Sequence, residues 1–406
     1  MCNVVMWGAG KNGKVVIQAI KKDKCNFIGI IDSDKKRQKS LYCEKWKIIS
    51  PEDIVSVKID YVVISVKNSY EILQQCKEMG INDNKVIDYW KSDEVYEFID
   101  SNVKKICELE RELIQYKHQT ELQFENLPYE LGMRSTPIVR SAEELLDIII
   151  KEKKSLSRFG DGELEVMRRR ERLWYQKVDE KLADRLVEIF YSNDEHIIIS
   201  LPDNFGNLEK YTESAAYGIR DYLSKGNRES LMEVIDMARV YYDAYVARPY
   251  MIYRDKQHAG HVFKLFKQVW EKRNILLVEG SRAYIGVRNN LFEGANSIRR
   301  IIAPATNSFA KYDTILSLVK KHITKDVLVL VSLGPAATVL AYDLAKEGIQ
   351  ALDIGQLDNE YEWYLRGVDE RVEIPGKCVA ELSNCHEVMA IRDEEYEKQI
   401  VARVET

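Results

Sequence analysis

Between Ser155 and Met167 the chain reads SLSRFGDGELEVM, which sets Arg158, Asp161 and Glu163 within six residues around Gly160 and Gly162. In an extended or turning backbone, residues two apart project to the same side, so the spacing predicts that the carboxylates of Asp161 and Glu163 converge. Two converging carboxylates repel each other unless a proton or a cation sits between them. Hard oxygen ligands with open coordination positions suit Mg²⁺ or Mn²⁺ carrying a diphosphate. The competing reading is a glycine-rich surface turn with two solvated acids, because D-x-E is a short pattern.

Other stretches carry chemistry on their own spacing. Gly334-Pro335 precedes AATVLAYDLAKEG, and a strand-to-helix turn of that kind predicts free backbone N–H groups at Ala336 and Ala337, with the Thr338 hydroxyl nearby, as a phosphate cradle. A plain tight turn with proline at the first helical position is the alternative. Residues Asp353 to Trp363, DIGQLDNEYEW, crowd acids, a glutamine and aromatic rings. Such a wall can hold a sugar and deprotonate its hydroxyl, or it can be a solvated loop. At the N-terminus, Gly8, Gly10 and Gly13 form G-x-G-x-x-G after an apolar run, and Asp32 follows about twenty residues later, where an acid can bind a ribose hydroxyl. The pattern admits NAD(P) or another nucleotide; its glycines can equally serve only close packing of helix on strand.

The elements that must position these groups follow from periodicity. Strand-like runs at residues 3–8, 27–31, 61–66 and 85–87 alternate with helical patterns, which predicts a small parallel α/β, Rossmann-like domain over residues 1–90. Residues 92–127 turn charged, with Val95, Phe98, Ile99, Val103, Ile106, Leu109 and Leu113 as one stripe of a long amphipathic helix. A connector over 91–137 is expected, and its stripe makes a homodimer plausible. Prolines and glycine in ENLPYELGMRSTP then break the pattern. Beyond, Ser141 to Glu144 has capping-box spacing, and apolar runs at 196–201, 274–278, 297–302 and 327–333 predict a larger α/β domain over 138–406. Ligands on such sheets gather at the carboxyl ends of the strands. Glu279-Gly280-Ser281-Arg282 and Pro304-Ala305-Thr306-Asn307 stand at two of those ends.

The 406 residues, 45% hydrophobic and 31% charged with a net charge of −5, fit a multidomain globular protein and argue against a general nucleic-acid binder. No apolar run is long enough to span a bilayer, and no export signal is visible, so a cytoplasmic location is expected. Seven scattered cysteines without a C-x-x-C pair read as reduced thiols.

SRFGDGE at 157–163, ARPYMIY at 247–253, VEGSRAYIGVRNNLF at 278–292, IRRIIAPATNSFAKYDTI at 298–315, LVSLGPAATVLAYDLA at 330–345 and ALDIGQLDNEYEW at 351–363 occur in this order. Together they make residues 138–366 resemble the GT-D fold glycosyltransferases, bacterial enzymes that move a sugar from a nucleotide diphosphate donor during surface glycan or glycoprotein assembly. The resemblance implies that Asp161 and Glu163 hold Mn²⁺ or Mg²⁺ against the diphosphate of a UDP-sugar, UDP-glucose being the family's lean, with a glycan or glycoprotein acceptor. On that reading Arg158, Arg248 and Arg282 contact phosphate, Glu279, Gly334 and Thr338 lie at the donor, and Asp358 or Glu360 takes the acceptor proton. Gln356 stands where the family is expected to carry histidine, and glutamine cannot titrate near neutral pH. The alternative function is an NAD(P)-dependent oxidoreductase or nucleotide sensor led by the N-terminal glycines.

Overall fold

The computed structural model describes residues 1–39, 41–56, 58–324, 326–379, 382 and 391–405. The chain forms two compact units, Met1–Glu121 and Leu122–Thr406.

In the first unit β1 (Cys2–Trp7), β2 (Cys25–Ile31), β3 (Leu41–Tyr42), β4 (Trp46–Ile49), β5 (Tyr61–Ile64) and β6 (Val86–Asp88) make one sheet in the order β3-β4-β2-β1-β5-β6. Its ladders are parallel except β3 on β4. Period-two alternation decides which way each side chain points: Val4 and Met6 enter one apolar layer, Val5 and Trp7 the other. Both faces are therefore covered, as a parallel sheet requires.

The long helix runs from Ser101 to Glu130, so it starts nine residues after the charged stretch begins at residue 92 and crosses the division between the units. The cause is local. Phe98 is buried in the core of the first unit, its carbonyl accepts from Lys21 N–H, and Asp100 N–H donates to Ala19. Those bonds hold residues just before Ser101 out of helical pairing.

The larger unit is built on β7 (Ile138–Arg140), β8 (Ser155–Arg158), β9 (Ile197–Leu201), β10 (Val240–Asp243), β11 (Asn274–Gly280), β12 (Ser297–Ala303), β13 (Val327–Ser332), β14 (Ala351–Asp353) and β15 (Ile400–Arg403). They form one sheet in the order β15-β12-β11-β13-β14-β8-β9-β10-β7, with parallel ladders throughout. Leu277 and Leu330 pack into one layer, while Leu276, Val278, Val329 and Val331 pack into the other. Truncating one of these leucines to alanine costs about 2–5 kcal/mol.

Ser141 caps the helix Ala142–Glu152 by accepting from Glu144 N–H at 3.3 Å, as its spacing predicts. Because every strand runs the same way, β8, β11, β12, β13 and β14 all end at one edge, and the functional loops leave from there. Cys378 departs from expectation: it is disulfide-bonded, while Cys2, Cys25, Cys43, Cys76 and Cys107 are free. Among the described residues no helix is long and apolar enough to cross a membrane.

Candidate active site

The D-x-E stretch is not an extended turn. Gly160 caps the helix Asp161–Met167, so the two acids are the first and third helical residues. Residues two apart on a helix do not face each other. The carboxylates reach the same space because Glu163 turns back to accept from Gly160 N–H at 2.9 Å. Asp161 instead accepts from Arg172, whose Nε and Nη2 both lie 2.7 Å from Asp161 Oδ2. Both acids line a cavity of about 660 Å³ at the carboxyl edge of the sheet. Their position in the first turn places negative charge at the positive end of the helix.

A third acid lies behind them. Asp353 ends β14, is buried, and bonds Arg158 Nη2 through Oδ1 at 3.0 Å, while Arg158 Nε and Nη1 donate to the carbonyls of Asp353 and Ala244. Gly355, at φ +46°, permits this, since a Cβ there would lie 1.9 Å from Arg158 Nη2. Burial pushes the Glu163 carboxyl up to about 7, with the charges of Asp353 and Asp161 adding to it and Arg158 opposing. Glu163 and Asp161 both present carboxylates to the cavity. Two carboxylates open to a cavity fit Mg²⁺ or Mn²⁺, which keep water and phosphate as further ligands. Among the described residues no group of three or more ligating side chains stands ready to hold an ion, so the protein supplies only part of such a coordination sphere.

Around the acids the cavity wall includes Arg158, Arg248 and Arg282. Gly334, at φ +56°, lines the cavity and passes directly against the ring of Tyr175, which a Cβ would approach to 2.7 Å. Sequence reading missed Arg172, Trp174, Tyr175 and Tyr245 as wall groups, and had Asp353 only as one acid of a sugar-holding wall. The basic and aromatic run RRRERLWYQK at 168–177 was the available signal for three of them. That segment is pinned by Asn307, whose N–H donates to Tyr175 carbonyl at 2.8 Å and whose Oδ1 accepts from Lys177 N–H at 2.9 Å.

Several expected site residues hold the frame instead. Thr338 is fully buried, and its hydroxyl bonds the Arg158 carbonyl and Asp353. The helix after Gly334 offers fewer free donors than expected, because Ala337 N–H already bonds Gly334 carbonyl. Glu279 is buried against Arg300 at 2.6 Å and accepts from Ile285 N–H, which fixes the 281–285 loop rather than facing the cavity. Burial raises its carboxyl, and Arg300 opposes that. Glu360 accepts from the N–H groups of Tyr250 and Met251 at 2.9 and 2.7 Å and so anchors the segment that carries Arg248.

Asp358 does line the cavity, yet it accepts from Gly286 N–H, Asn289 and Lys377, the last at 2.7 Å in a buried ion pair. Both of its oxygens are thus occupied by donors of the protein. Tyr361 and Trp363 are core residues, so the aromatic wall comes from Trp174, Tyr175 and Tyr245. Gln356 lines the cavity with its amide oxygen buried and without a hydrogen-bond partner.

In the first unit the glycine turn is closed on itself. Asp32 Oδ2 accepts from Ala9 N–H at 2.7 Å and from Arg37 at 3.1 Å, and Oδ1 accepts from Asp34 N–H. Tyr42 donates to the Gly10 carbonyl at 2.6 Å. Gly8 has φ +114°, and a Cβ on Gly13 would lie 2.4 Å from the Gly8 carbonyl oxygen, so these two glycines are packing requirements. The acid expected to meet a ribose hydroxyl is engaged with the loop it follows.

Residues 156–382 match the family described as glycosyltransferase GT-D fold, and residues 1–87 match one described as C2185-like, N-terminal. The chain is 36% identical over 269 residues to the probable glycosyl transferase Gly of Streptococcus gordonii, covering 66% of this chain and 39% of that protein. It is 35% identical over 267 residues to the glycosyltransferase GlyD of Streptococcus pneumoniae, covering 66% of this chain and 32% of the relative. The matches thus span well under half of those proteins.

Among solved structures, the domain of unknown function 1792 described as having a distinct glycosyltransferase fold aligns with TM-score 0.63 at 37% identity, over 66% of this chain and 95% of that one. A glycosyltransferase of the same domain type from Streptococcus sanguinis aligns with TM-score 0.62 at 35% identity, over 66% and 100%. With its D-x-E helix, its cavity and more than half its length inside the matched region, this chain belongs to the GT-D fold glycosyltransferases.

Proposed function

We propose that the larger unit transfers a sugar from a UDP-sugar, UDP-glucose first among them, to a glycan or glycoprotein acceptor in surface polysaccharide or glycoprotein assembly. The observation that carries this reading is the meeting of Asp161 and Glu163 with Arg248 and Arg282 in one cavity at the carboxyl edge of a parallel sheet. A diphosphate needs both features: oxygen ligands that share a cation with it and guanidinium groups that match its oxygens. Asp161 and Glu163 would hold Mn²⁺ or Mg²⁺, which when bound supplies positive charge beside the leaving diphosphate.

The bond that breaks joins the anomeric carbon to phosphate oxygen, and its electron pair leaves with UDP. The bond that forms joins the same carbon to an acceptor oxygen, whose proton passes to the departing diphosphate or to solvent water. Arg248 and Arg282 stabilise charge that grows on the departing oxygens, an electrostatic contribution of the kind that dominates such reactions. Trp174 and Tyr175 present aromatic faces to the ligand, and Gln356 offers a hydrogen-bond acceptor to a sugar hydroxyl without acting as a base. The comparisons give no support to an oxidoreductase, and that reading is not carried forward.

The test is UDP release from UDP-glucose with Mn²⁺ by the purified chain. Release is expected to fall by about 10²-fold or more with EDTA and with Asp161→Ala. Release indifferent to both would remove the metal-dependent reading.

A further inference from the structure

The helix Ser101–Glu130 carries an apolar stripe facing water. Ile106, Leu113, Thr120 and Leu127 recur every seven residues, with Val103, Glu110, Lys117 and Phe124 recurring between them, Val103 itself packing against the core of the first unit. The resulting three-four spacing is that of the d and a positions of a heptad, with Leu109 and Tyr116 at g and Ile114 at e flanking the seam. Ile106, Leu113, Ile114, Tyr116 and Phe124 are 54, 67, 69, 70 and 72% exposed. Exposed apolar side chains recurring along one side of a helix, interrupted in the seam by Glu110, Lys117 and Thr120, mark an interaction site. It is distinct from the side of the helix that the larger unit buries, marked by Leu122, Asn126 and Tyr129.

We propose that this stripe pairs with the same stripe of a second copy of the chain, antiparallel, as a two-fold symmetric coiled-coil dimer. Charge decides the direction. In a parallel pair Glu110 faces the second copy's Glu110, and Lys117 its Lys117, two repulsive layers in the seam. Antiparallel, with Ile106 against the second copy's Phe124, each Glu110 lies one layer from the other copy's Lys117. The same register brings Ile114 and Tyr116 against their own symmetry mates beside the axis, the self-complementary arrangement of an isologous interface. An anionic membrane is a poorer occupant, since the helix carries six acidic residues against four Lys and Arg.

Light scattering of the full chain is expected to give twice the 47.2 kDa chain mass, and Leu113→Glu to halve it with near-ultraviolet circular dichroism unchanged. Under mild oxidation Ile114→Cys is expected to cross-link two copies above the background of the unaltered chain, whereas Glu110→Cys is not. A monomeric unaltered chain, including one that sediments with anionic vesicles, overturns the proposal. So does a Leu113→Glu dimer, or cross-linking at Glu110→Cys in preference to Ile114→Cys.

Discussion

Two strand-to-helix turns in this molecule share the backbone conformation of their capping glycine and are opposite in use. Gly10 caps the helix Lys11–Ala19 at φ −85°, ψ −170°, and Gly160 caps the helix Asp161–Met167 at φ −85°, ψ −174°. Neither cap bonds its helix through a side chain, and each follows a buried parallel strand. After Gly10 the acid that could meet a ligand, Asp32, bends over the turn and takes Ala9 N–H for itself. After Gly160 the acids are in the helix, and the ends of β11, β13 and β14 stand beside them around an open cavity. A glycine-capped helix start is therefore only a permissive geometry. What makes one of them a site is the placement of acids and the number of neighbouring strands that end beside it.

The sharpest way to break this contrast is to neutralise one acid at each turn. Glu163→Gln is expected to lower initial rates of UDP-sugar turnover by about 10²-fold or more, and Asp32→Asn to leave them unchanged; equal losses would erase the distinction. Next in size is Gly13→Ala, whose Cβ would press on the Gly8 carbonyl and on the Tyr42 hydroxyl at 2.7 Å. Overpacking of this kind costs about 1–3 kcal/mol, to be read as a shifted urea midpoint with turnover in dilute buffer preserved.

The smallest effect sharpens the contrast through pH, since the larger unit couples two helices through Glu143 and His258 at 3.0 Å. The hydrogen bond from His258 holds the Glu143 carboxyl down at about 2, and Glu143 raises His258. Stability from the lowered acid is present above its ordinary 4.5 and lost as pH falls towards 2. Stability from the raised histidine is present below its ordinary 6.5 and lost as pH climbs through its folded value. The advantage of the unaltered chain over His258→Gln is thus expected to peak between those limits, at under about 1 kcal/mol for a pair so near the surface. Urea titrations at stepped pH would measure it, and a pH-independent difference would contradict it.

The α/β class and most central strands were legible because buried parallel strands are apolar runs with few competing explanations. Short or polar strands were not: β8 reads as SLSR and β10 as VYYD, and only their neighbours make them strands. The D-x-E acids were found from their spacing, but for the wrong geometry, since a helix cap and an extended turn use the same glycines. Glu279, Glu360 and Thr338 show why acids and hydroxyls near strand ends are ambiguous. Each bonds backbone or a buried partner that is adjacent only after folding. Arg172 escaped, and Asp353 was read only as a sugar-wall acid, for the complementary reason, because their importance lies in contacts to Asp161 and Arg158 that sequence separation conceals.

The strand at the edge of the larger sheet lies beyond the stretch that the family model matches. That match ends at residue 382, while β15, at 400–403, pairs along β12, and the helix Glu394–Gln399 just before it brings Gln399 and Tyr396 beside Arg300. A chain trimmed to the recognisable domain would leave β12 with an unsatisfied row of amides and carbonyls, an invitation to aggregate. Domain limits drawn from the family-model match alone would here discard the strand that covers β12.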